Sequence, residues 1–162
     1  MRIKSAAVLA AISGTVVVGG AHGAILSWNN PAGGTFSTAS NWNPAQSPTA
    51  ADDLTFGIVG NYTVTLDTLE ARSLAFRSGV VGWGVSGLAA TPFVVGQTVQ
   101  IGQTSTDVAS VTVRIPMNVS GTLTLGRDAG ARGTLTMAGG FLSGGRIDLT
   151  TATSDLIVGS NG

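Results

Sequence analysis

The side chains with chemistry to offer are three tryptophans, Trp28, Trp42 and Trp83, and eight acids, Asp52, Asp53, Asp67, Glu70, Asp107, Asp128, Asp148 and Asp155. A pair of carboxylates can act as acid and base on a glycosidic bond, and an exposed indole offers a large flat face to a sugar ring. The acids show no paired spacing. Arg114, Arg146 and Asp148 fall on outward strand positions, where solvated charge is the simpler reading. The only histidine, His22, and the only lysine, Lys4, lie in the first 24 residues, and there is no cysteine. If that segment is removed, a nucleophile–base triad lacks its imidazole, Schiff-base chemistry lacks its amine, and structural zinc lacks its nitrogen and sulfur ligands. Calcium needs only oxygens. However, Gly144-Gly145-Arg146-Ile147-Asp148 lacks the third glycine of the calcium-binding nonapeptide and places its acid one position early. Asp52-Asp53, beside a turn, reads as well as a capping pair. No catalytic residue, cofactor or metal site is expected, which leaves Trp28, Trp42 and Trp83 as candidate carbohydrate-stacking residues.

Residues 1–24 read as a secretory signal peptide. Arg2 and Lys4 give a positive start, Ala6 to Val18 an apolar stretch, and Ala21-His22-Gly23 small residues suited to cleavage within 21–25. The apolar run is shorter than the about 20 strongly apolar residues a membrane span needs, and glycine interrupts it. The mature chain is therefore not expected to span a membrane. It keeps six arginines against eight acids, a net charge of −2. With no basic patch, nucleic acid is not an expected partner. Without cysteine, an exported fold must rely on burial and backbone ladders rather than disulfides.

The elements that hold these residues are short strands. In 25–60, Trp28, Phe36, Trp42 and Phe56 are scattered among Asn, Gly, Pro and Ser without helical period, and few regular strands are expected. This segment reads as an aromatic N-terminal cap; a sugar-stacking platform on Trp28 and Trp42 is the alternative. From 61 to 162 apolar residues alternate with polar ones. Tyr62, Val64 and Leu66 share one face, and Leu74 and Phe76 continue it after a turn at Leu69–Arg72 whose Glu70 and Arg72 read as solvated. Val80 to Ala90 reads as a bent strand carrying Trp83. Ile101 to Leu125, Val111 to Leu135 and Val113 to Met137 are each 24 residues apart, and Leu156-Ile157-Val158 restarts the phrase 33 positions after Leu123. Repetition on this scale marks a solenoid, in which each coil buries its apolar face on the next. Val111, Val113, Ile115, Leu123, Leu125, Leu135, Met137, Ile147 and Leu149 are expected inside, with the intervening threonines, arginines and Asp148 outside. Gly102, Gly126 and Gly159 each end an apolar run, where a corner needs positive φ.

The opening Trp28…Gly33-Gly34-Thr35-Phe36…Ala39-Ser40-Asn41-Trp42…Pro48…Asp52-Asp53…Phe56…Tyr62-Thr63-Val64-Thr65-Leu66 resembles the N-terminal portion of large exported bacterial proteins. Those proteins carry autotransporter-associated β-strand repeats and often end in PEP-CTERM or dockerin-type sorting elements. Leu123-x-Leu125-Gly126-x-x-x-Gly130-Ala131-x-Gly133-Thr134-Leu135-x-x-x-Gly139-Gly140-x-Leu142 is similar to their repeat. The resemblance implies an all-β, right-handed parallel β-helix, secreted or held at the cell surface, with no defined catalytic residues. Its implied role is a structural or adhesion scaffold with extracellular polysaccharide or cell-surface partners. A carbohydrate-binding module and the front of a β-helix polysaccharide lyase or hydrolase are the alternatives. The chain stops at Asn161-Gly162 just after a coil has restarted, so further coils are expected beyond it. N-terminal sequencing of exported material is expected to begin within residues 22–25, and recovery of Met1 or Arg2 outside the cell would overturn the signal assignment.

Overall fold

The computed structural model describes residues 23–68, 70–85, 91–138, 142–149 and 154–158. The expected signal segment up to His22, residues 86–90 of the expected bent strand, and Gly159 lie outside the described residues. Within them the chain is all β, a parallel β-solenoid of about five turns with no α-helix.

The strands, in chain order, are β1 (Ile25–Trp28), β2 (Gly34–Thr35), β3 (Trp42–Asn43), β4 (Asp53–Phe56), β5 (Asn61–Leu66), β6 (Glu70–Ala71), β7 (Ser73–Phe76), β8 (Ser78–Val85), β9 (Phe93–Val95), β10 (Val99–Ile101), β11 (Val108–Val113), β12 (Met117–Leu125), β13 (Arg132–Met137), β14 (Leu142–Leu149) and β15 (Asp155–Val158). Their pairings define three faces. The first stacks β1, β4, β7, β10 and the second halves of β12 and β14. The second stacks β2, β5, β8, β11, β13 and β15. The third stacks β6, β9 and the first halves of β12 and β14. All these ladders are parallel. The exception is β3, which runs antiparallel along β1 and covers its outer edge.

Alternation fixes what goes inside. On the first face Leu26, Leu54, Leu74, Val99, Leu123 and Ile147 fall in register, as do Phe56, Phe76, Ile101 and Leu125. On the second face Val64, Trp83, Val113 and Met137 do the same. The three 24-residue spacings are therefore ladder pairs: Ile101 on Leu125, Val111 on Leu135, and Val113 on Met137.

Several expectations are corrected. Leu156 stacks on Leu135, on the second face, not above Leu123; the residue above Leu123 is Ile147. Two faces carry similar apolar phrases, so likeness of phrase misassigned the face. Glu70–Ala71 is a strand of the third face and not merely a turn. Segment 25–57 holds β1 to β4, because pairing to neighbouring coils makes strands of stretches too short to show a period. Ile147 points inward in register yet is 47% exposed, since β14 is paired on one side only among the described residues. The side chain of Leu149 lies outside the description.

Glycine is required where coils turn tightly. Gly102 and Gly126 end first-face strands at φ 74° and 65°, as their place in the sequence suggests. At the corner between the third and first faces, Arg72 N–H donates to the Asp52 carbonyl and Gln97 N–H to the Arg72 carbonyl, and Gly121 and Gly145 continue this column. A Cβ on Gly121 would lie 2.1 Å from the Gln97 carbonyl oxygen, and one on Gly145 would lie 2.2 Å from that of Gly121. Without those side chains, β12 and β14 run straight through the corner, with a register shift between Val119 and Thr122. Amide hydrogen exchange is expected to be faster over 146–149 and 155–158, where each strand has one neighbour among the described residues, than over 62–76. Equal protection would contradict the one-sided pairing.

Candidate functional site

The tryptophans are core residues. Trp28, Trp42 and Trp83 are 3%, 2% and 0% exposed. Trp28 meets Trp42 edge-on at 5.1 Å between centroids and lies near-parallel to Phe56 at 5.9 Å. Trp83 is ringed by Phe36, Phe56, Phe76 and Phe93, and Phe56 stacks on Phe76 at 4.8 Å. The Trp28 indole N–H donates to the Asn30 carbonyl and that of Trp42 to the Phe36 carbonyl, each at 2.7 Å. No indole face is open to a sugar ring, so the stacking assignment of Trp28, Trp42 and Trp83 is withdrawn. The aromatic residues of the first coils need partners to leave water, and in a narrow solenoid they find one another.

The carboxylates are put to structural use. Asp52, 2% exposed, accepts from the amide of Ala24 at 2.6 Å and from the amide and hydroxyl of Thr49 at 2.7 and 2.8 Å. Asp107, 6% exposed, accepts from the amides of Gln103 and Thr104 at 2.9 and 3.0 Å and from the Thr104 hydroxyl at 2.7 Å. In each case the acid's own N–H returns to the threonine carbonyl. Thr49…Asp52 and Thr104…Asp107 are thus one corner used twice, a Thr-x-x-Asp pattern visible in the sequence but recognised only from the fold. Burial works against the Asp107 charge. The amide and hydroxyl of Thr104, the amide of Gln103 and the Arg77 guanidinium at 3.6 Å outweigh it and hold this carboxyl below its usual range.

Four of the other six acids are engaged on the surface, while Glu70 and Asp155 are exposed. Asp53 takes a two-pronged contact from Arg72, which is therefore not a free turn residue. Asp67 accepts from the amide and hydroxyl of Ser37, Asp128 pairs with Arg127, and Asp148 pairs with Arg146 at 2.5 Å. Among the described residues no group of three or more His, Cys, Asp or Glu side chains converges to hold a metal.

Several surface depressions gather polar groups, and two of them bear on the acids and the glutamines. One, about 540 Å³, lies between the Pro48–Ala50 loop, the Asp67–Thr68 turn with Glu70, and Thr91, Pro92 and Val94. The other is a trough of about 240 Å³ on the outside of the first face, bordered by Asp53, Arg72 and three glutamines, Gln97, Gln100 and Gln103. The glutamines drew no notice in the sequence, because three amides spread over a strand end and its loop carry no motif.

No family model, curated protein or solved structure matches this chain.

Two enclosed polar atoms have no hydrogen-bond partner among the described residues, the Trp83 indole Nε1 and the Tyr62 phenolic oxygen. Tyr62 is the only tyrosine. Burial pushes its pKa up from 10.0 to about 12. Since the fold favours the neutral phenol, this contribution to stability is complete below the unfolded value near 10.0 and is lost as pH rises from there through about 12. Tyrosinate absorbance reports this one residue. Its midpoint is expected near 12 in the native protein and near 10 in denaturant, and a native midpoint near 10 would mean the phenol is exposed.

Proposed function

We propose that this chain is a secreted or surface-bound, non-catalytic segment of a β-solenoid scaffold. The resemblance to exported bacterial proteins with autotransporter-associated β-strand repeats supports this reading, as does the signal-like start. The observation that carries it is the use made of the acids. Asp52 and Asp107 are sunk into corners that turn one coil into the next, and Asp53, Asp67, Asp128 and Asp148 hold neighbouring side chains or backbone. A general acid or base needs freedom to take and release a proton at a substrate atom. A corner carboxylate that accepts three hydrogen bonds, all from its own loop at Asp107 and two of them so at Asp52, is committed to the fold.

The outward residues suit a scaffold. Thr112, Thr124, Thr134 and Thr136 alternate with buried aliphatics, giving strands stiff, β-favouring side chains with wet hydroxyls. No helix of the described residues is long and apolar enough to cross a membrane.

The full chain is expected to release neither reducing ends nor unsaturated products from plant or algal polysaccharides. Turnover that is abolished by Asp148→Asn would overturn the scaffold reading in favour of an enzyme.

A further inference from the structure

We propose that the trough on the outer surface of the first face binds a neutral, hydroxyl-rich saccharide chain. This goes beyond the scaffold reading and does not depend on it, since the trough is present whether or not the protein is exported.

The trough follows from side-chain length on three adjacent rungs. On β7 the outward residues are Ser73 and Ala75, both short. Thr55 of β4 lies in register with Ala75 on one side and Gln100 of β10 on the other, while Asp53 registers with Ser73. A rung of short side chains between longer ones is a channel running along β7. Its width is two strand spacings, roughly 10 Å, which admits a sugar chain but not a helix or a second sheet. Arg72 and Gln97, consecutive in the corner column, stand at one end, and Gln103 stands at the other.

The lining chemistry is specific in kind. The Gln103 side-chain amide N–H donates to the side-chain amide oxygen of Gln100, Oε1, which sets the two amides beside each other. That leaves the Gln100 NH2 as a donor and the Gln103 carbonyl as an acceptor for something else. Arg72 and Asp53 form a two-pronged pair that is partly exposed, at 23% and 29% of their side chains. Their charges cancel, so the trough offers directional donors and acceptors but no net attraction for a polyanion. Adjacent donors and acceptors without net charge match vicinal hydroxyls, each of which both gives and takes a hydrogen bond. With Trp28, Trp42 and Trp83 all buried, recognition comes from ring edges and hydroxyls. Each site is then weak and depends on a polymer presenting many equivalent segments.

The test is affinity electrophoresis of the full chain through gels containing a soluble mixed-linkage β-glucan, a galactomannan or polygalacturonate. Retardation by at least one neutral polymer is expected, with none by polygalacturonate. Ala75→Gln, which fills the channel floor, and the double change Gln100→Ala with Gln103→Ala should each weaken retardation at least tenfold. Both change outward residues, so their melting curves should match the parent, and Ser27→Ala, on the same face outside the trough, should be without effect. Absence of retardation by both neutral polymers overturns the proposal. So does retardation by polygalacturonate alone, or retardation that survives both trough variants. None of these results bears on the absence of catalysis, which polysaccharide turnover tests separately.

Discussion

Among the described residues beyond the first coil, inward strand side chains rest on those at the same ladder position one coil earlier, and the corners keep that stacking in register. A parallel ladder allows little adjustment, because a slip by one residue would turn every buried leucine and valine outward. The interior changes character along the axis. Phe56 and Phe76 are followed on the same ladder by Ile101 and Leu125, and Trp83 is followed by Val113 and Met137. The first coils are thus filled by edge-to-face and stacked rings, and the later ones by aliphatic chains. The rings also fill the first described coil, where Trp42 lies against Trp28, Phe36 and Phe56 while β3 pairs along the edge of β1.

Register is set at the corners, by two devices. Glycine occupies positions where one coil's backbone touches the next, so that a side chain at Gly121 or Gly145 would drive the layers apart. The Thr-x-x-Asp corners instead spend a buried carboxylate on turning the chain. Each satisfies amides that the loop would otherwise leave without partners, and an unmet buried donor costs about 1–3 kcal/mol. The same acid then continues the stack through its backbone, since the Asp107 carbonyl accepts from Arg132 and the Asp52 carbonyl from Arg72. Charge buried in this way serves geometry. This is why Asp52 and Asp107, which look like chemical resources of the sequence, are taken out of the open surface.

The outer faces follow from what the core leaves over. Residues that alternate with buried ones need only favour an extended backbone, and their size is otherwise unconstrained. A short pair such as Ser73 and Ala75 beside longer neighbours therefore creates relief on an otherwise flat sheet. Relief of this kind depends on three strands contributed by three different coils. The side chains that border it are Asp53, Arg72, Gln97, Gln100 and Gln103, which span about fifty residues of sequence.

The sequence by itself determined the period-two alternation, the inward assignment of Tyr62, Val64, Leu66, Leu74 and Phe76, the 24-residue ladder steps and the glycine corners at 102 and 126. These are local consequences of strand geometry and backbone sterics, and a single chain displays them without its neighbours. Only the tertiary structure decided that Leu156 belongs above Leu135, that Glu70–Ala71 is a strand, that Asp52 and Asp107 are buried, and that the tryptophans face inward. Those outcomes depend on which coil lies beside which. A two-residue strand exists only through its pairing, an aromatic in a loop is buried only if other rings reach it, and a surface trough exists only between rungs. Two faces built from the same alternating residues look alike along the chain, and stacking alone tells them apart.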